Sequence, residues 1–400
     1  MAAPYDGLRV IELSGDPAGE LTGGHFAHMG ADVVKIEPPG GAESRRIGPF
    51  ADGHHNPELS LNHWYYNGSK RSVVLDLSGG DGHDRSAFER LLDTADILIS
   101  SLHPRELRAA GIDFDELRAA HATLIVVSIT PFGLTGPWSD YLSSDLVGLA
   151  ASGLLNSSGY DDHTIPPIRP GGNQAFHLAA SFAHIGAVLA LIQRQQTGTG
   201  DLIDVAMHDS CSVTCELANP YWFYPKALVQ RQTCRHAQPS HTPSALFECS
   251  DGYVYFGLVL ADQKPWHAVV AWFDSYGMAD DLADPAYSEL AHRQANFDHI
   301  QDVVRAFFRS QKADAAYHEG QGRGVPIAPM NAPEDLFHDE HLQARGFFVP
   351  VEHPGHGEVL HPGAPYRFSA YDPVPLRAAA RLGQHTEEVL ADVQTTADVR

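Results

Sequence analysis

Short apolar runs rich in β-branched residues alternate with helix-period patterns over the first half of the chain. Residues 8–13 read as a buried strand, 15–30 as a turn and helix, and 31–37 as a second strand, which together make a βαβ unit. Further strands are expected at 73–77, 97–100, 124–129 and 202–207, with helices at 88–95, 114–120 and 173–194. Ser143-Ser144-Asp145 opens another helix, and Thr197-Gly198-Thr199-Gly200 closes the long one. The alternation predicts an α/β fold with a parallel sheet. From about Tyr221 the character shifts toward Trp, Tyr, Phe and Pro, and residues 248–258 read as a hairpin turning at Ser250-Asp251-Gly252. A large domain of residues 1–220 and 330–400 and a small α+β domain of 225–325 follow from this, with a closing helix near 386–393. The aromatic stretches 220–225 and 266–272 read as core of the small domain, with the lining of a bulky ligand pocket as the alternative.

Composition narrows the function. The 400 residues are 43% hydrophobic and 19% charged, enough apolar material for packed cores. With 27 Lys and Arg against 50 Asp and Glu, the formal charge is −23, which argues against nucleic-acid and anionic-membrane partners. The apolar stretch 178–192 falls short of the roughly 20 residues of a membrane span and is expected to be a buried core helix. No secretory signal opens the chain, so the cytoplasm is the expected compartment. Four cysteines without paired spacing and 24 histidines without an HExxH-type pair give no support for a disulfide scaffold or a metal site. No GxGxxG follows the first strand and no GxxxxGK[ST] occurs, which removes the usual signatures of nicotinamide and ATP binding. In a parallel sheet the ligand crevice lies at the strand ends, here residues 15–20, 38–46, 101–104 and 130–137.

The segments DGLRVIEL, GADVVKIEPPG, SKRSVVLDL, ADILISSLHP, SITPFGLTGPWSDY, TGTGDLIDVAMHDS, GVPIAPM, HLQARGFFV and LGQHTEEVL, in this order, resemble the family III CoA-transferases of the carnitine-dehydratase and bile-acid-inducible type. The resemblance implies interlocked dimers with a Rossmann-like large domain built from both chain ends and a small central domain. It also implies CoA thioesters bound at the strand ends as substrates, no tightly held cofactor, and transfer of CoA from an acyl-CoA to a carboxylic acid. Carried onto this sequence, the family's CoA contacts fall on Pro17 and Ala18, on Asn67, Lys70 and Arg71, on Ser101, Leu102 and His103, and on Asp145. The family's Arg after the second strand is Pro38 here, which leaves Arg45 or Arg46 as substitute, and its helix Arg is Ala109 beside Arg108.

The resemblance also identifies an absence. The family's nucleophile is an Asp that opens the long helix, because a carboxylate can attack a thioester and carry the acyl group and then CoA. Counting back ten positions from Gly186, or twenty-one from Thr197, gives Phe176, and residues 169–177 contain no acid. Asp145 is a weak substitute, since Asp at a helix start serves the dipole. The racemases of the family use a His at the position of Ser144 and the same absent Asp, and His177 reads first as a core histidine. Two arrangements remain open: an Asp-lacking subunit that pairs with an Asp-bearing paralogue, as two-subunit arylsuccinate CoA-transferases do, or a homodimer that isomerises or only binds acyl-CoA.

Overall fold

The computed structural model describes residues 3–79, 82–215, 217–258 and 260–397. In chain order it runs β1 (Arg9–Leu13), α1 (Pro17–Ala27), β2 (Asp32–Glu37), α2 (Leu61–Asn67), β3 (Arg71–Val74), α3 (His83–Leu92), β4 (Ile97–Ser100), α4 (Pro104–Ala109), α5 (Phe114–Ala120), β5 (Ile125–Thr130), α6 (Asp145–Ala151), α7 (Gln174–Thr197), β6 (Leu202–Ala206) and α8 (Met207–Val213). After these come α9 (Ala218–Phe223), β7 (Gln230–Gln232), β8 (Arg235–Gln238), β9 (Leu246–Glu248), β10 (Tyr253–Phe256), α10 (Gln263–Asp274), α11 (Leu290–Ala295), α12 (Phe297–Arg309), α13 (Ala313–Gly322), β11 (Ile327–Pro329), α14 (Glu340–Ala344), β12 (Phe348–His353), β13 (Gly357–Pro362) and α15 (Thr386–Ala397).

Two compact units result. One comprises residues 1–154, 170–215 and 340–400, and the other 155–169 and 216–339. Residues 155–169 thus join the smaller unit, where the sequence reading had assigned them to the larger one; Arg235 bonds the Asp161 carboxylate there and Thr233 accepts the Asp161 N–H at 3.0 Å.

The first unit carries a six-stranded parallel sheet in the order β3-β2-β1-β4-β5-β6. Every residue of β4 and β5 is buried, as expected for strands covered on both faces, and that explains their continuous apolar runs. The outer edge at β3 does not stay bare. The chain returns along it at 377–386, with Ser69 N–H on Arg377 O at 2.9 Å, His385 N–H on Ser72 O at 3.0 Å and Val74 N–H on Thr386 Oγ1 at 3.0 Å. This strap satisfies edge donors that would otherwise template another strand. Val389 and Val393 of α15 then complete the core with Phe88, Leu91 and Leu98.

The helix α7 departs from expectation. Its buried positions are Ala175, Ala179, Ala180, Ala183, Ala187 and Ala190, which pack it closely on β5, β6, α1 and α8. Ile185 and Leu189 are 52% and 60% exposed, and Phe182 and Ile192 lie open beside them. The long apolar run is therefore not a buried core helix, because close packing on the sheet selects the small residues and turns the large ones outward. By length and composition this 24-residue helix is also apolar enough to cross a membrane, where the shorter expected run was not.

The second unit has a three-stranded antiparallel sheet, β11-β10-β9, packed with helices around Phe247, Phe256, Trp266, Trp272, Phe273, Phe307 and Phe308. Of the two aromatic stretches, 266–272 supplies core. The other does not, since Trp222, Phe223 and Tyr224 are exposed, Tyr224 at 85%.

Candidate active site

The turn leaving β1 and the turn leaving β4 meet at the carboxyl ends of the sheet. Gly15 N–H donates to Ser101 Oγ at 3.1 Å, and Asp16 caps α1 by accepting from the N–H groups of Ala18 at 3.0 Å and Gly19 at 3.2 Å. Pro17 follows at the first helical position, where a missing N–H costs nothing. A Cβ on Gly19 would stand 2.4 Å from Ser101 Oγ, so glycine is what lets the helix approach β4. Burial pushes the Asp16 carboxyl up to about 6, against the opposing effect of the Gly19 N–H.

On the β4 side, Pro104 starts α4 and His103 caps it in a reciprocal box with Glu106. Arg105 donates to Asp140 O at 2.9 Å and Arg108 to Asp140 Oδ1 at 2.6 Å, while His103 Nε2 lies 3.3 Å from Tyr141 O. The Arg108 hydrogen bond holds the Asp140 carboxyl below its ordinary value. Two arginines and a histidine thus gather on one exposed rim, beside a ring cluster of Phe132, Trp138, Tyr141 and His208. Pro17, Ala18, Ser101, Leu102 and His103 are brought together here.

A third group lies at the start of α7. Asp145, the first residue of α6, accepts the Ala175 N–H at 2.8 Å and so serves an otherwise uncapped helix end. Tyr66 Oη is 2.9 Å from His177 Nε2, and Asn173 Nδ2 donates to Tyr66 Oη at 3.1 Å. Burial raises the Tyr66 phenol and lowers the His177 imidazole, the latter opposed by Asp145. Phe176 sits half-buried between Ala175 and His177.

Four of the residues expected to contact CoA, Asn67, Lys70, Arg45 and Arg71, are engaged within the chain. Lys70 is buried: its Nζ lies 2.8 Å from Glu12 Oε2 and donates to Glu20 O at 2.6 Å and Asn67 Oδ1 at 2.9 Å, so Lys70 and Asn67 are both spent internally. Arg45 is buried in a two-pronged pair with Glu37, at 2.6 and 2.8 Å, and also reaches Glu58 and Ala380 O. Arg71 forks onto Asp32 at 2.8 and 2.5 Å and faces Glu388 from the sheet edge. Each cation would have to abandon a carboxylate to reach a ligand.

The same region holds a buried network that sequence reasoning missed. Lys35 Nζ meets Glu12 Oε1 at 2.9 Å, Glu20 Oε1 at 2.9 Å and Ser14 Oγ at 2.5 Å. Ser44 Oγ donates to Glu20 Oε1 at 2.6 Å and lies 2.8 Å from His63 Nδ1. Burial would raise Glu12, but Lys35 and Lys70 outweigh it and keep the carboxyl below its ordinary value. The available signal was the pattern itself: Glu12, Lys35 and Glu37 fall among the apolar residues of β1 and β2, at buried positions whose other members are all apolar.

The model of CoA-transferase family III matches residues 5–386. The chain belongs to the family III CoA-transferases. As such it is an enzyme that moves CoA between an acyl-CoA and a carboxylic acid. Among curated relatives, this transferase is 32% identical over 98% of its length, and 95% of the relative's, to the Thauera aromatica protein described as succinyl-CoA:(R)-benzylsuccinate CoA-transferase subunit BbsE. It is 29% identical, over 98% of itself and 94% of the relative, to the succinyl-CoA–L-malate CoA-transferase beta subunit of Chloroflexus aurantiacus. The crystal structure of a CAIB/BAIF family protein from Brucella suis superposes with a TM-score of 0.84 at 26% identity, covering 98% of this chain and 100% of that one.

Proposed function

We propose that this CoA-transferase binds its thioester in the crevice between the β1 and β4 turns and works as the subunit that lacks the nucleophilic Asp, beside a paralogue that supplies it. Phe176 carries the reading. A benzyl side chain stands where the family's carboxylate would open α7, and the nearby Asp145 is occupied with the Ala175 N–H. The Asp in the partner would attack the acyl-CoA carbonyl, releasing CoA thiolate and leaving a mixed anhydride. Return of the thiolate to the enzyme carbonyl frees the donor acid and leaves an enzyme–CoA thioester. The acceptor carboxylate would attack that thioester, releasing the thiolate and forming a second mixed anhydride, and the thiolate would then attack the acceptor's carbonyl to give the new acyl-CoA and regenerate the Asp carboxylate.

Within this chain, Pro17, Ala18, Ser101 and Leu102 would line the pantetheine path, and His103, Arg105 and Arg108 would face the phosphates with charge-assisted hydrogen bonds. Two relatives described as subunits of CoA-transferases support the heteromer. The open apolar face of α7 supports an interlocked dimer, with the paralogue covering Phe182, Ile185, Leu189 and Ile192. The substrate class is a succinate-type acyl-CoA donor and a dicarboxylic acceptor.

Expression alone, with succinyl-CoA and an arylsuccinate acceptor, should show no CoA exchange. Co-expression with an Asp-bearing paralogue should yield a stable mixed complex that exchanges CoA. Robust turnover by the purified lone chain would refute the proposal.

A further inference from the structure

Four charged side chains lie together beneath the crevice: Glu12, Glu20, Lys35 and Lys70, each no more than 4% exposed. They balance to zero. Lys35 donates to Glu12, Glu20 and Ser14, one acceptor for each N–H, while Lys70 donates to the Glu20 carbonyl and Asn67 and is ion-paired with Glu12 at 2.8 Å. Glu12 fits only because Gly23 faces it, since a Cβ there would fall 1.8 Å from Glu12 Oε2.

Such a cluster is not an economical source of stability, because taking charges out of water offsets most of their mutual attraction. Its geometry shows what else it does. Ser14, the first residue after β1, is held from two sides, by Lys35 and by its own hydrogen bond to Glu12. Glu20 lies in the first turn of α1 and is held by its side chain through Lys35 and Ser44 and by its carbonyl through Lys70. Between these anchored ends lie Gly15 to Gly19, the segment that meets Ser101.

We infer that Lys35 and Lys70 are positioning residues, which act through Ser14 and Glu20 to hold the β1–α1 turn in its CoA-receiving shape, and that neither touches a CoA phosphate. The inference rests on the crevice being the CoA site. Lys70, the cation that a sequence reading assigns to phosphate, thus acts on the ligand only through the turn.

The test compares CoA with 3′-dephospho-CoA by calorimetry. Lys35→Met with Glu12→Gln, and Lys70→Met with Glu12→Gln, each remove one positive and one negative charge, so the remaining pair stays balanced; urea midpoints report folding. Both double variants should bind CoA and 3′-dephospho-CoA more weakly by the same factor, about 10, as expected when a ligand-facing segment shifts by a fraction of an ångström. A fall in the preference for CoA over 3′-dephospho-CoA confined to the Lys70 variant would overturn the inference in favour of direct phosphate contact. Unchanged affinities would overturn it in favour of a purely structural cluster. Should a double variant fail to fold, Ser14→Ala keeps all four charges and carries the same test: equal weakening for both ligands supports positioning, and unchanged binding overturns it. Failure of the unaltered chain to bind either ligand would instead reject the crevice as the CoA site, and the inference with it.

Discussion

Asp16→Asn isolates the electrostatic cost of the turn at the crevice. The carboxyl is raised from its ordinary 3.8 to about 6 by burial, so between those values the folded protein holds a proton that the unfolded chain has released. The sign follows. The stability linked to this group is fully present below pH 3.8 and is lost as pH rises through about 6. At about 1.4 kcal/mol per tenfold change in proton affinity, the displacement amounts to about 3 kcal/mol, reduced to about 1–2 because the residue is partly exposed. Asn keeps an oxygen for the Ala18 and Gly19 N–H groups and carries no charge, so the cap is retained while the titration is removed. In urea unfolding the Asn variant should therefore gain on the wild type between pH 4 and 6.5, reach an advantage of about 1–2 kcal/mol at pH 7.5, and hold it above. A difference that does not vary with pH, or a variant less stable than wild type at pH 7.5, would refute the burial argument.

Other perturbations probe other parts of the same unit. Arg45→Met strands the buried Glu37 carboxylate and should cost about 3–5 kcal/mol in chemical denaturation, most of it recovered by adding Glu37→Gln. Because Arg45 and Lys35 hold Glu37 below its ordinary value against burial, the pair's stabilisation is present above pH 4.5 and drains away on acidification; the double variant should flatten that slope in acid-unfolding curves. Gly19→Ala drives a methyl against Ser101 and should cost about 1–3 kcal/mol, read as a lower urea midpoint. Arg105→Gln with Arg108→Gln should weaken CoA binding by about 1–3 kcal/mol and reduce its salt dependence, whereas unchanged calorimetry would remove α4 from the phosphate site. Leu189→Glu, on the open face of α7, should abolish association in sedimentation while leaving the thermal transition of the isolated chain nearly unchanged.

Much of the architecture was legible because it rests on local chemistry. β-branched runs became strands, with bounds close to those expected except for the third, which runs Arg71–Val74 rather than 73–77, and Asp16, His103, Asp113 and Ser144 cap helices by rules written within three or four residues. What escaped depends on pairing across elements. Lys70 and Arg45 look like ligand cations in a one-dimensional reading, since their partners Glu12 and Glu37 sit apart from them, on β1 and β2. In α7 the period was visible but the facing was not: a run of alanines and a run of large aliphatics both follow helical spacing, and only close approach to the sheet decides that the alanines go inside. The strap along β3 had no regular pattern to betray it, as its bonds come from an irregular segment.

The distribution of positive charge then bears on how CoA lies. The chain is short of cations, and the sheet consumes several of them: Lys35 and Lys70 on Glu12, Arg45 on Glu37, and Arg9 and Arg71 together on Asp32. At the crevice the arginines on the rim are those of α4, whose carboxylate partner Asp140 is exposed and so can be exchanged for phosphate at little desolvation cost. On the CoA reading, the anionic end therefore belongs at α4 and the thiol end toward α1, α2 and the start of α7. Under the proposed function that orientation would bring the thioester to the neighbourhood of Tyr66, Asn173 and His177, where this chain offers hydrogen bonds and the Phe176 benzyl group, and where the proposed partner would supply the carboxylate.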